Sequence, residues 1–160
     1  MERLAAYTLR PVRDEDEALL LAIYASSRAE EMALVPWDAA MKDAFLRSQF
    51  SAQQTHYRSY FPQAVHDMIL VDGEPVGRIY VDRRADEIRI LDVTMLTESR
   101  RRGIGTRIIQ ELMKEADDQD QSLSIYVESF NRSLGLFQRL GFVKAEETGA
   151  SWLMVWRAAS

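Results

Sequence analysis

Cysteine is absent from the 160 residues. That excludes a disulfide framework and a thiol nucleophile. No apolar run approaches ~20 residues, so no membrane-spanning helix is expected. An excess of basic charge is missing as well. Twenty-five acidic side chains face twenty Lys and Arg, a formal net charge of -5. This argues against a dedicated nucleic-acid binder and is mildly compatible with a cationic or amine partner. Histidine is confined to His56 and His66. Their separation does not suit one helical face, and no cysteine accompanies them, so no metal site is expected. The first six residues lack the apolar segment of a signal peptide, which makes a cytoplasmic location the expectation. The length suits one domain, residues 1–160, with a full hydrophobic core.

What is present is organised around residues 87–119. Residues 87–96 (EIRILDVTML) read as a strand, 97–105 (TESRRRGIG) as a short basic loop, and the residues from Thr106 as an amphipathic helix. Gly103 and Gly105 let the backbone turn and a ligand approach closely. The first amides of the helix lack intrahelical acceptors and sit at the positive end of its dipole, a natural phosphate site. Arg100, Arg101 and Arg102 add local positive charge to an acidic chain. A pyrophosphate-bearing ligand over residues 100–106 follows, with an Arg-rich turn that merely caps a helix as the plainer account. The P-loop pattern is missing, because no Lys-Ser or Lys-Thr follows the glycines. The dinucleotide pattern is incomplete, because Ile108 stands where its third glycine belongs. What fits is R-x-x-G-x-G, from Arg100 to Gly105.

The remaining pattern predicts a mixed α/β chain. Thr8–Arg10 form a short first strand that Pro11 ends. Asp14 caps an acidic helix whose apolar face is Leu19, Leu20, Ile23 and Tyr24. Its carboxylates either complement the helix dipole or guide a cationic substrate. Residues 37–60 are helical, in one piece or two. Residues 66–71 and 76–82 are strands joined at Asp72-Gly73, a hairpin signal. With the strand at 87 they make an antiparallel meander. The helix after Gly105 carries Ile108, Ile109, Leu112 and Met113 on one face and crosses to a strand at 123–128. A strand–helix–strand unit of this length implies a parallel pair with a right-handed crossover. The strand at 87–96 is therefore the joint between an antiparallel half and a parallel pair, and a ligand crevice is expected at its carboxyl end. Residues 133–140 form a short helix that Gly141 stops. Residues 143–147 and 151–157 close the chain as two strands. On the last, Trp152 faces the core, an acceptor site or a dimer contact.

A second motif, Asn131 to Phe142 (NRSLGLFQRLGF), follows the strand at 123–128. R-x-x-G-x-G together with this N-x4-L-[YF]-x3-G-F resembles the GNAT superfamily of acyl-CoA-dependent N-acetyltransferases. The two motifs with their strands cover residues 87–142, and a weaker likeness extends over nearly the whole chain. The resemblance implies a three-layer fold with a mixed central sheet of about six to seven strands and helices on both faces. It implies acetyl transfer from acetyl-CoA to an amine, on a small molecule or on a peptide or protein. The pantetheine arm would lie along Val93, Thr94 and Met95, with the Met95 backbone N–H as oxyanion donor. The pyrophosphate would rest on Arg100, Arg101, Arg102, Gly103, Ile104, Gly105 and Thr106. Asn131 would hold pantetheine or cap its helix, and Phe137 would line the cleft.

Two proton transfers remain. Asp92 is the first candidate base acting through water, with Glu87 and Glu128 behind it. Many relatives carry tyrosine where this chain has Phe137, which removes the usual general acid. Tyr126 or Tyr80 could substitute, or none is needed, since a thiol of pKa about 8.5 is a tolerable leaving group. The segment 28–66 is expected to shape the acceptor pocket, with Trp37, Phe45, Tyr57 and Tyr60 as candidate walls and core packing as the alternative. The missing tyrosine keeps open a non-catalytic acyl-CoA sensor on the same fold. A homodimer is the commonest soluble assembly and stays open.

Overall fold

The computed structural model describes residues 6–96 and 103–159. The chain runs β1 (Thr8–Pro11), a 3-10 turn (Asp14–Asp16), α1 (Glu17–Ser27), α2 (Ala29–Ala33), α3 (Ala39–Tyr60), β2 (Val65–Val71), β3 (Glu74–Arg83) and β4 (Glu87–Met95). It continues through α4 (Ile104–Asp118), β5 (Ser122–Glu128), α5 (Ser133–Arg139), β6 (Val143–Thr148) and β7 (Ser151–Trp156). Among the described residues no helix is long and apolar enough to cross a membrane.

All seven strands join one sheet in the order β1-β2-β3-β4-β5-β7-β6. Every neighbouring pair is antiparallel except β4 with β5, which α4 connects as a parallel pair. The joint expected at residues 87–96 is thus β4. The β2–β3 hairpin turns through Asp72 and Gly73, both at positive φ (51° and 79°), as a type I′ turn requires.

The sheet separates two cores. Ile104, Ile108, Ile109, Leu112 and Ala116 make the buried stripe of α4, a helical spacing. They pack with Ile88, Ile90, Leu123, Ile125 and, from α5, Leu134 and Phe137. On the other side Leu20, Ile23 and Tyr24 of α1 meet Phe50 of α3 and Met68 of β2. The helix predicted between 37 and 60 is one piece, capped by Asp38, whose side chain accepts from the Met41 N–H at 2.8 Å. The acidic start differs from expectation. Asp16, not Asp14, does the binding: it accepts from the Arg13 N–H at 2.8 Å and takes the Arg10 guanidinium at 2.8 and 2.9 Å. These bonds hold its carboxyl down to about 2. The 3-10 turn carries Asp16 inward, which is why the third acidic position rather than the first meets the arginine.

The largest departure from the sequence reading lies within β4. Simple alternation from Ile88 and Ile90 would drive Asp92 and Thr94 into the α4 core. The register instead jumps, with Val81 opposite Ile90 and Tyr80 opposite Asp92. Leu91 is the extra residue of a bulge. One added residue exchanges the faces of everything after it. Val93 and Met95 therefore pack on the α4 core, while Asp92 turns to the α3 side.

Candidate active site

The sheet forks. β4 and β5 pair only from Glu87↔Ser122 to Ile90↔Ile125. Beyond that rung β5 stays with β7 as far as Glu128↔Ser151, and β4 stays with β3 as far as Met95↔Gly77. The fork opens at the Leu91 bulge. On the β4 side the Leu96 N–H donates to the Val76 carbonyl at 2.7 Å. In an antiparallel ladder such bonds alternate. The backbone groups of Thr94 and Asp92 therefore point to β3, and those of Met95 and Val93 point into the fork.

Close approach of β3 and β4 fixes that edge. A Cβ on Gly77 would stand 2.4 Å from the Thr94 carbonyl oxygen and 2.8 Å from the Met95 sulfur. Only glycine lets the strands come together there. At the fork's open end stands the N-terminus of α4. Gly103 caps it at φ 76° with no side-chain bond. The first intrahelical bond is from the Arg107 N–H to the Gly103 carbonyl at 3.0 Å. The amides of Ile104, Gly105 and Thr106 precede it and so have no intrahelical acceptor. Gly105 stands next to the Met95 side chain, which a Cβ there would touch at 4.0 Å. The end of β4 and the start of α4 are thereby adjacent. Arg100, Arg101 and Arg102 lie outside the described residues.

On the α3 side of the fork lies a cavity of about 240 Å³. His56, Tyr57 and Phe61 line it from the end of α3, Arg89 to Leu91 from β4, and Tyr126 from β5. The Tyr57 hydroxyl donates to the Leu91 carbonyl at 2.9 Å, tying α3 to the bulge. Burial pushes that phenol well above the usual tyrosine range. Arg89 donates from Nε to Ser124 Oγ at 2.7 Å and from Nη2 to Glu87 at 3.1 Å. Its guanidinium carbon stands 4.9 Å from the Tyr126 ring centre. Glu87 also accepts from Ser124 Oγ and from Arg84. Of the expected bases, Glu87 is therefore a hub between two arginines.

Asp92 belongs to a second polar group. It receives Arg78 Nε at 2.6 Å and the Thr94 hydroxyl at 2.9 and 3.0 Å. Arg78 is 1% exposed and reaches α3 through Gln53 at 2.6 Å. Beside it His66 stacks on Tyr80 with ring centres 4.1 Å apart. Burial, then the neighbouring Arg78, lowers the His66 imidazole to about 4. Its buried Nε2 has no hydrogen-bond partner among the described residues. Tyr80 is buried between His66 and Tyr57.

The other predicted residues spread out. Phe137 is 1% exposed, edge to face with Phe142 at 5.1 Å, in the α4 core. The Asn131 side chain accepts from the Ser133 N–H and hydroxyl, both at 2.9 Å, and so braces the start of α5. Tyr126 is 47% exposed, and Glu128 is exposed. Trp37 meets Phe45 at 5.3 Å, away from the cavity lining. Trp152 packs on the main core. Sequence reasoning passed over Arg78, Arg89, Gln53 and the bulge. Arg78 left one signal, a lone guanidinium within the apolar run 76–81.

Comparison with known proteins is consistent throughout. Residues 25–151 match the acetyltransferase (GNAT) domain. The fold is similar to that of the PaiA N-acetyltransferase of Thermoplasma acidophilum, solved in complex with coenzyme A. The two share 16% identity over 96% of this chain and 99% of that one, with a TM-score of 0.71. An acetyltransferase of Thermus thermophilus is similar at 19% identity, 98% and 100% coverage and a TM-score of 0.69. The ribosomal-protein-S18-alanine N-acetyltransferase of Escherichia coli is similar at 15% identity, 95% and 94% coverage and a TM-score of 0.63. With the forked mixed sheet, the glycine-capped α4 and the matched domain together, the chain belongs to the GNAT acetyltransferase family.

Proposed function

We propose that this chain, as a single catalytic unit over residues 1–160, transfers the acetyl group of acetyl-CoA to an amine by direct attack in a ternary complex. The observation that carries the reading is the fork. Among the described residues β4 and β5 are unpaired with each other beyond Ile90↔Ile125, with the backbone groups of Val93 and Met95 turned away from β3 and the α4 N-terminus at the open end. An extended amide-bearing arm matches the fork as an added strand, and a pyrophosphate matches the helix terminus. The residues therefore fit coenzyme A. Bound as acetyl-CoA, it would supply an acetyl group activated as a thioester.

The chain supplies positioning and charge stabilisation. Val93 and Met95 pair with the pantetheine arm, and the Met95 N–H faces the carbonyl oxygen as charge develops. Gly103, Ile104, Gly105 and Thr106 receive the pyrophosphate, and Arg100, Arg101 and Arg102, outside the described residues, are proposed to add positive charge for it. Asn131 and Phe137 act at one remove, by setting and underpinning α5. Thr94 holds Asp92. The Asp92 carboxylate is engaged by Arg78 and Thr94, so its part is to keep that guanidinium in place while water takes the amine proton. Tyr57 already donates to Leu91. Tyr126 is then the phenol at the cavity that can give a proton to the departing thiolate. Orientation of amine and thioester contributes on the order of 7–11 kcal/mol of barrier lowering.

The test is the thermal unfolding midpoint with acetyl-CoA, CoA and ATP. A ligand at one hundred times its dissociation constant stabilises by about 2.7 kcal/mol. Acetyl-CoA and CoA are expected to raise the midpoint, and ATP is not. No rise at millimolar acetyl-CoA refutes the assignment. A rise without thiol release across an amine panel would leave a sensor in place of an enzyme.

A further inference from the structure

The cavity on the α3 side of the fork starts where the strands part. Leu91 and Tyr126 follow the last rung, Ile90↔Ile125, on their two strands, and both line it. An acceptor held there would be next to a thioester lying along β4. Its volume, about 240 Å³, falls below the roughly 300–1,000 Å³ of drug-sized sites and suits a compact molecule.

Among the described residues the lining is mostly aromatic and carries no carboxylate. Among the described lining residues its one permanent charge is Arg89, whose side chain is 12% exposed and is paired on one side with Glu87 at 3.1 Å. A guanidinium has five N–H donors. Nε serves Ser124 and Nη2 serves Glu87, which leaves three hydrogens without a partner among the described residues. The aromatic faces are also partly taken by cations. Arg89 lies over Tyr126, and Arg84 stands 5.4 Å from the Phe61 ring centre. A cationic ligand would find those faces occupied and two guanidiniums close by. A carboxylate would find a half-used planar fork in a poorly solvated place, where such pairing is strongest.

We infer that the acceptor is a small amino acid-like amine, with an apolar or aromatic body and a carboxylate that Arg89 recognises. This rests on the acetyltransferase reading above. It also departs from the cationic partner to which the net charge mildly points, since net charge says nothing about which residues line the cavity.

The experiment compares apolar and aromatic L-amino acids, each beside its decarboxylated amine and its carboxamide, with spermidine as a polycation. The readout is kcat/KM by thiol release from acetyl-CoA. The acids are expected to exceed their decarboxylated partners at least tenfold. Arg89→Gln is expected to abolish that ratio by raising KM for the acid, with kcat changed far less, and Arg89→Lys to retain part of it. The acetyl-CoA-induced rise in unfolding midpoint is followed in both variants, so that a misfolded protein is recognised. If Arg89→Gln does not fold, Arg89→Lys carries the comparison. Equal rates, a preference for the decarboxylated amines or spermidine, or a ratio unchanged in the folded variants would overturn the inference. So would an absence of turnover in the whole panel while acetyl-CoA still raises the midpoint. A missing acetyl-CoA response would instead overturn the acetyltransferase reading itself.

Discussion

Removing the Asp92 carboxylate tests how the α3 side of the sheet is held. Arg78 is 1% exposed, Asp92 23%, and their nitrogen and oxygen are 2.6 Å apart. Asp92→Ala strands a buried guanidinium, whose remaining acceptors are Gln53 at 2.6 Å and Gln54 at 3.4 Å. Breaking one side of a buried pair costs about 3–5 kcal/mol. Because Asp92 is partly hydrated and Gln53 remains, the lower end applies, about 3 kcal/mol. With a urea slope of about 2 kcal/mol/M for a domain of this size, the midpoint should fall by roughly 1.5 M. The double variant Arg78→Met, Asp92→Leu removes both charges and should recover most of the loss, since apolar replacement of a buried pair is often neutral. Urea unfolding followed by tryptophan fluorescence measures the wild type, Asp92→Ala and the double variant. A loss below about 1 kcal/mol for Asp92→Ala, or a double variant no better than it, would refute the reasoning. Asp92→Asn adds a functional arm: kcat should change less than tenfold. A fall of a hundredfold or more with stability intact would make Asp92 the base after all.

Three further outcomes are expected. Tyr57→Phe leaves the Leu91 carbonyl without its donor, so stability should fall by about 1–3 kcal/mol and the acetyl-CoA-dependent rate with it; an unchanged rate in a destabilised protein would separate the bulge from the site. Gly77→Ala puts a Cβ against the Thr94 backbone, so it should lower stability by about 1–3 kcal/mol and weaken the acetyl-CoA response of the unfolding midpoint. His66, neutral in the folded protein down to about pH 4, binds its proton in the unfolded chain from about pH 6.5. Its contribution is complete above that value and is lost as pH falls towards 4, and His66→Gln should flatten that part of the stability–pH curve.

Much of the architecture was legible because period and punctuation agreed. The alternation at 66–71 and 76–82 around Asp72-Gly73 specified a hairpin, and the stripe Ile108, Ile109, Leu112 specified the crossover helix. The glycines after Arg100–Arg102 located the helix terminus. The bulge left a trace that simple strand reading passes over. Apolar residues fall at 88 and 90 and then at 91, 93 and 95, so the alternation changes phase at Ile90-Leu91. Register is decided by β3, where Val81 takes Ile90 and Tyr80 takes Asp92, and by the need to keep Asp92 out of the α4 core. Arg89 left no such trace. In a strand an arginine reads as solvent-facing, and only the cover of α3 makes it a cavity wall. Phe137 was read through its motif as a cleft residue, while its place at 1% exposure follows from packing against Phe142.

The fork has a mechanical consequence. Four rungs, Glu87↔Ser122 to Ile90↔Ile125, are the strand pairing between a four-stranded leaf and a three-stranded one, like the stitching of a half-open book. Anything inserted along β4 acts as a wedge at the open margin, and its leverage falls on the rung nearest the opening. Amide exchange at Ile90 and Ile125 should therefore register occupancy of the cleft before any other part of the sheet, and would serve as a built-in gauge of ligand binding.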